Sequence, residues 1–172
     1  MSAMDVLVGY ATVHGSTRGV AERLATSLGR AGLPADVRPL DTVDDADAYG
    51  AFVLGSAVHN QAWLAPARAF VSDNAGLLGE RPSWIFSVGM PGALRGPWKR
   101  MAPVEARVVV RSLPAGLPYR SHRLFSGVIL RSQLPLGGRI RFHLMGGRFG
   151  DHRDWEAIDA WASEIAGELL RA

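Results

Sequence analysis

The sequence predicts a doubly wound α/β sandwich, and three observations predict it. Short, continuous apolar runs recur at 6–11, 51–55 and 83–88, as strands buried on both faces of a parallel sheet require. Stretches with helical spacing separate them, the alternation of a βα fold. The first run breaks into small and hydroxyl-bearing residues, Thr12-Val13-His14-Gly15-Ser16-Thr17, just before a helix opens. Such a junction gathers unpaired backbone N–H groups at the positive end of a helix dipole, which is the architecture of an anion site.

Taken in order, residues 18–31 place Val20, Ala21, Leu24, Ala25 and Leu28 on one face, and Gly32 with Pro34 ends that helix. Residues 35–40 alternate like a shorter strand, and the acidic stretch 41–47 is a connector with room for a short helix. The run from Ala51 leads into Ser56-Ala57-Val58-His59-Asn60-Gln61-Ala62-Trp63, ahead of a helix over 66–74 that Pro66 opens. Ser83 to Val88 ends in the uncharged loop 89–93. Residues 100–112 carry two patterns, Val108 to Val110 favouring a strand. A helix is preferred there, because the fifth strand, 124–130, needs a crossover before it to pair in parallel. Asp151 or Asp154 caps the last helix, whose Trp155, Ile158, Trp161, Ala162, Ile165 and Leu169 form one apolar stripe, with both tryptophans expected in the core.

With 48% hydrophobic and 20% charged residues, the 172-residue chain suits one globular domain over 1–172. The absence of cysteine excludes disulfides, iron–sulfur clusters, thiolate zinc sites and cysteine nucleophiles. Histidines at 14, 59, 122, 143 and 152 form no i, i+4 pair, so no metal site is expected, and neither Ser56 nor Ser87 sits in a Gly-x-Ser-x-Gly elbow. Met1 to Asp5 lacks the basic flank of a signal peptide and the run behind it is too short to span a bilayer, so a cytoplasmic location is expected. The net charge of +3 hides a division: residues 1–80 carry five Arg against nine acids, whereas 81–148 carry eleven Arg and Lys99 against Glu105 alone. That asymmetry points to an anionic partner. Nucleic acid is not expected, because no aromatic platforms are interleaved with the arginines.

The loop lacks the Gly-x-Gly-x-x-Gly of dinucleotide folds and the Gly-Lys-Ser/Thr of a Walker loop. Its Thr12, Ser16 and Thr17 hydroxyls around Gly15 suit a terminal phosphate monoester. Thr12 to Thr17, with Ala21 on the buried face of the helix that follows, resembles the FMN phosphate loop of the flavodoxin family. The resemblance implies a flavodoxin-like three-layer sandwich, a five-stranded parallel sheet in the order 2-1-3-4-5 with helices on both faces. It also implies FMN as cofactor, held by the amides and hydroxyls of Thr12, Val13, Gly15, Ser16 and Thr17, with His14 flanking. In that strand order the ligand crevice lies outside the C-terminal ends of the first and third strands. Ala57, Val58, His59, Asn60 and Trp63, with Ser87, Val88 and Gly89 beside them, then border the flavin ring. Asn60 tolerates a positive φ and so can present a backbone group to the ring. Trp63 is either a ring-stacking residue or a core aromatic.

Residues 53–59, residues 82–88 and the tail Met145-Gly146-Gly147 through Asp154-Trp155-Glu156 resemble the bacterial flavodoxin-type, quinone-dependent protoporphyrinogen oxidases. This implies electron flow from a reduced porphyrinogen through FMN to a quinone, the flavin carrying the chemistry and no catalytic side chain being required. An insertion at 131–150 mixes Leu134, Leu136, Ile140, Phe142, Leu144 and Met145 with Arg131, Arg139, Arg141, His143 and Arg148, and Arg139 to Leu144 alternates like a strand. Arg95, Lys99, Arg100, Arg139 and Arg141 are candidates to meet substrate carboxylates or anionic lipid headgroups, with peripheral attachment at the inner face of the membrane. Two other functions fit the fold. One is an FMN carrier shuttling electrons between partner enzymes, which the basic half disfavours; the other is an interaction domain that has lost FMN, which the intact loop disfavours.

Overall fold

The computed structural model describes residues 5–172, and of Gly92, Trp98 and Lys99 the backbone only. The expectations for the first four residues and for the Lys99 side chain lie outside the described residues. Strand β1 (Val6–Ala11) is buried along its whole length in the interior of the sheet. Flanking it are β2 (Ala35–Pro39) and β3 (Ala51–His59), the latter bearing a two-residue antiparallel strand, β4 (Ala62–Trp63). Beyond β3 come β5 (Ser83–Gly89) and β6 (His122–Ser126). The parallel order is β2-β1-β3-β5-β6, which is the expected doubly wound order once β4 is set aside as an appendage of β3. Val8 is registered between Val37 and Val53, and Val53 in turn against Trp84.

Successive strand residues point to opposite faces, and each face has its own helical layer. Val6, Val8, Tyr10, Val53, Trp84 and Phe86 pack under helices α1 (Ser16–Arg30) and, at the C-terminus, Trp155–Leu169. Leu7, Phe52, Leu54 and Ile85 pack under α2 (Ala65–Asp73), α3 (Ala75–Glu80) and α4 (Ala102–Val110). The helix preferred over 100–112 is therefore present as α4, preceded by a 3-10 turn at Gly96–Met101. Gly55 keeps β3 free of a side chain where the Phe86 ring lies across it; a Cβ there would overlap the ring.

Three expectations change. The fifth strand is broken at Gly127: β6 stops at Ser126, and Val128–Ile129 (β7) leaves the parallel sheet to pair antiparallel with Gly150–Asp151. The Gly127 amide instead donates to the Gly89 carbonyl at 2.9 Å, an approach that a side chain would obstruct. Arg139 to Leu144 is not a strand but part of helix α5 (Leu136–Leu144). Its alternation arises because an inner residue, Phe142, falls between the outer residues Ile140 and Leu144. Trp155, the first residue of α6 (Trp155–Leu169), lies outside the core at 37% exposure, between the guanidinium groups of Arg153 at 4.6 Å and Arg23 at 6.0 Å. The remainder of that stripe, Ile158, Trp161, Ala162, Ile165 and Leu169, is buried, and of the two cap candidates Asp154 accepts the Ala157 amide. Ser56 to Trp63 carries β3 on to His59 and turns back as β4.

Candidate functional site

The chain leaves β1 at its C-terminal end and turns directly into α1. Gly15 makes that turn with φ +89°, and its amide donates to the Thr12 hydroxyl at 2.9 Å. A positive φ and open space around the missing Cβ leave the backbone accessible from outside. Helix α1 starts with no side-chain cap and no acid in its first turn. By contrast α6 opens with the Asp154 cap and Glu156. The first-turn N–H groups and the dipole of α1 are thus left for an anion from elsewhere.

Within this cradle Thr12 and Ser16 are half-buried, Val13, His14 and Gly15 exposed, and Thr17 fully buried. The Thr17 hydroxyl has no hydrogen-bond partner. A buried hydroxyl without a partner costs about 1–3 kcal/mol, so its presence at this position points to a ligand that supplies the partner. The residues present fit a phosphate. Ser16 also faces the β6–β7 corner, since a Cβ on Gly127 would stand 3.1 Å from its hydroxyl oxygen. Three strand ends therefore meet at the cradle, and Gly127 is a site-lining position that sequence reading missed; the interruption of an otherwise apolar strand by glycine was its only signal.

The second wall is the β3–β4 hairpin. Ala57 and Val58 are half-buried, while His59 and Asn60 are exposed. Asn60 has the positive φ expected of it, +50°, and Gln61 follows at +62°. Two consecutive left-handed residues between the paired His59 and Ala62 make a type I′ hairpin. Gln61 was missed as the partner of Asn60. Three serine hydroxyls anchor the hairpin, two on the sheet and one on the turn after α4: Leu64 N–H donates to Ser56 at 2.9 Å, the Trp63 indole N–H to Ser87 at 2.8 Å and Trp63 N–H to Ser112 at 3.2 Å. Trp63 takes the core alternative. It is 2% exposed, packed against the α2 and α4 layer, and serves to fix the hairpin.

Ser87 and Val88 are buried and Gly89 half-buried at the end of β5. The Ser87 hydroxyl also lies 2.9 Å from His122 Nε2. Burial, reinforced by neighbouring Arg123, lowers His122 to about 4, so the ring is neutral near pH 7 and can accept from Ser87.

The structure separates the basic candidates. Arg95 and Arg100 are exposed on the segment after β5, and Arg141 is exposed on α5. Arg139 is half-buried, its guanidinium donating to the Leu134 carbonyl at 2.9 Å. On a helix, positions two apart point about 200° away from each other, so Arg139 and Arg141 do not share a face. What α5 presents outward is apolar: Leu136, Ile140 and Leu144, spaced i, i+4, i+8, are 72%, 56% and 79% exposed. Its inner face buries Phe142 with Ala93 and Ile129 in a small separate core, and the Arg148 amide donates to the Ala93 carbonyl. The insertion is thereby tied to the turn that follows β5.

The strand order, with an uncapped, hydroxyl-lined helix start at its switch point, places the chain in the doubly wound α/β class. The chain belongs to the flavodoxin domain family, whose family model matches residues 7–146. It is similar to the protoporphyrinogen IX dehydrogenase [quinone] of Escherichia coli (strain K12), 26% identical over 176 residues covering 95% of each chain. Among solved structures it resembles a flavodoxin from the domain Archaea, with a TM-score of 0.59 at 15% identity, covering 97% of this chain and 99% of that one. It also resembles the rubredoxin oxygen:oxidoreductase of Desulfovibrio gigas, with a TM-score of 0.62 at 17% identity, although it spans only 36% of that chain.

Proposed function

We propose that the chain is an FMN-dependent oxidoreductase that passes electrons from a reduced, anionic organic substrate of porphyrinogen type to a quinone. The observation that carries FMN is the cradle: a buried Thr17 hydroxyl without a partner beside an uncapped, acid-free helix start. Thr12, Ser16, Thr17 and the loop amides would hold the phosphate. The anchored hairpin with Ala57 to Asn60, and the Ser87 to Gly89 strand end, would border the ring. When bound, the flavin supplies the two-electron chemistry. The side chains named here bind and orient, and none is asked to act as acid or base on substrate.

The reading of donor and acceptor is supported by the E. coli relative of nearly equal length, and by the basic half, which suits a carboxylate-bearing substrate better than a basic redox partner. The outward stripe of α5, with Arg131, Arg141 and Arg148 exposed around it, supports peripheral contact with an anionic membrane, where a quinone resides. Among the described residues no helix is long and apolar enough to cross a membrane. The purified protein is expected to be yellow and to bind FMN stoichiometrically. Colourless protein with no FMN binding by calorimetry would sink the redox reading. Flavin-loaded protein that menaquinone analogues reoxidise, but that no porphyrinogen reduces under anaerobic conditions, would leave an electron carrier.

A further inference from the structure

Glu105 is the sole acid among residues 81–148, in company with twelve cationic residues, yet among the described residues it forms no ion pair and no hydrogen bond. It stands in the first turn of α4, half-buried, over the end of β5. Its Oε1 is so close that a Cβ on Gly89 would stand 3.0 Å away, and the Leu124 side chain closes the same spot. Gly89 is the last residue of β5, next to the Ser56-Ala57 end of β3 that leads into the hairpin. A carboxyl without a partner among the described residues therefore lies beside the strand end that would border the flavin.

The elements packed on α4 offer it little compensation. β4 and β5 carry no titratable group. β6 brings His122, which is already committed to Ser87. The 3-10 turn brings Arg100, exposed, and Lys99, whose side chain lies outside the described residues. On α4 itself, Arg107 turns back to donate to the Pro103 carbonyl. Burial alone raises the carboxyl above its ordinary value.

Resting on the FMN reading, we infer that Glu105 is the proton-holding group of the site: its carboxylate binds one solvent proton when two electrons enter the flavin and releases it when they leave. The electrons, and the proton that the flavin itself takes up, stay on the flavin. Glu105 changes only from COO⁻ to COOH, with an O–H bond formed to a proton from water. The driving force is electrostatic, since negative charge added at the end of β5 disfavours a second, unpaired negative charge beside it. Glu105 thus acts on the potential of the site through Gly89 and touches no substrate.

The test is a spectroelectrochemical titration of the flavin-loaded protein between pH 5 and 9, a mediated electrode supplying the electrons, on wild type, Glu105→Gln and Glu105→Asp. The wild type should show a segment in which two protons accompany two electrons, giving way to one proton per two electrons at higher pH. Glu105→Gln should lose that break, coincide with wild type at the acid end and lie at higher potential at the alkaline end, while Glu105→Asp should keep a displaced break. A Gln line parallel to wild type throughout overturns the inference while leaving FMN binding intact. Protein that takes up no flavin overturns both.

Discussion

A single methyl-for-hydroxyl exchange separates the two things Thr17 does. Its methyl and backbone belong to the core under α1, whereas its hydroxyl is buried without a partner. Thr17→Val keeps the shape and removes the unpaired oxygen. The flavin-free protein is therefore expected to gain about 1 kcal/mol in urea unfolding, and FMN affinity to fall by roughly tenfold for the loss of one phosphate hydrogen bond. A loss of stability, or unchanged affinity, would show that the hydroxyl does not serve the cradle. The sequence offered this hydroxyl by its place after a buried strand and a small-residue turn, and the fold buries it there. Trp63 was not legible in the sequence. Its ring has equal reason to stack on a ligand or to fill the core, and the choice was made by Ser87, 24 residues away, which accepts the indole N–H. Trp155 misled for a related reason: helical spacing placed it on the stripe, but as the first residue of α6 its ring lies outside the core, between two arginines.

Among the elements, the central strands were readable because burial on both faces leaves an uninterrupted apolar run that no other element of that length produces. The insertion was misread because a short helix with one inward residue and an outward apolar stripe mimics period-2 alternation, and only the packing of Phe142 against Ala93 and Ile129 distinguishes the two. The correction changes what the element can do. A strand would have set Arg139 and Arg141 side by side; helix α5 instead presents Leu136, Ile140 and Leu144 together, with Arg141 and Arg148 exposed nearby. Such a helix suits the headgroup layer of an anionic membrane. Vesicles containing anionic lipid are expected to pull the protein down, and Arg141→Glu with Arg148→Glu to weaken that by at least about tenfold, each basic group near the surface contributing about 1 kcal/mol. Leu136→Gln/Ile140→Gln/Leu144→Gln should abolish the part of the binding that survives high salt, because screening acts on charges and not on apolar burial. Co-sedimentation that neither variant alters would remove α5 as the contact.

At the scale of the whole molecule the distribution of titrating groups sets how the fold responds to acid. His122 has its ordinary value near 6.5 in the unfolded chain but about 4 in the fold, lowered by burial and then by Arg123. Between those values the unfolded chain binds more protons, so stability falls as the pH drops from about 6.5 and the loss is complete below about 4. Allowing for the partial exposure of the ring, that loss is about 2 kcal/mol. Glu105 works in the opposite sense, because its carboxyl is raised in the fold and protonation favours the folded state as the pH falls toward the ordinary carboxylate range. The paired carboxylates act later still. Asp159, held at about 2 chiefly by hydrogen bonds from Arg23 and Ser27, and Asp151, lowered by Arg153, are protonated only below the ordinary carboxylate range, where their contributions are lost. The first acid-sensitive phase therefore belongs to one histidine at the edge of the sheet, the same residue that meets the serine fixing the hairpin. Urea midpoints measured from pH 7 down to 4.5 should decline in the wild type. His122→Gln, whose amide can still reach Ser87, should remove the decline and leave a flat or slightly rising profile that reports Glu105. A decline of equal size in His122→Gln would place the sensitive group elsewhere.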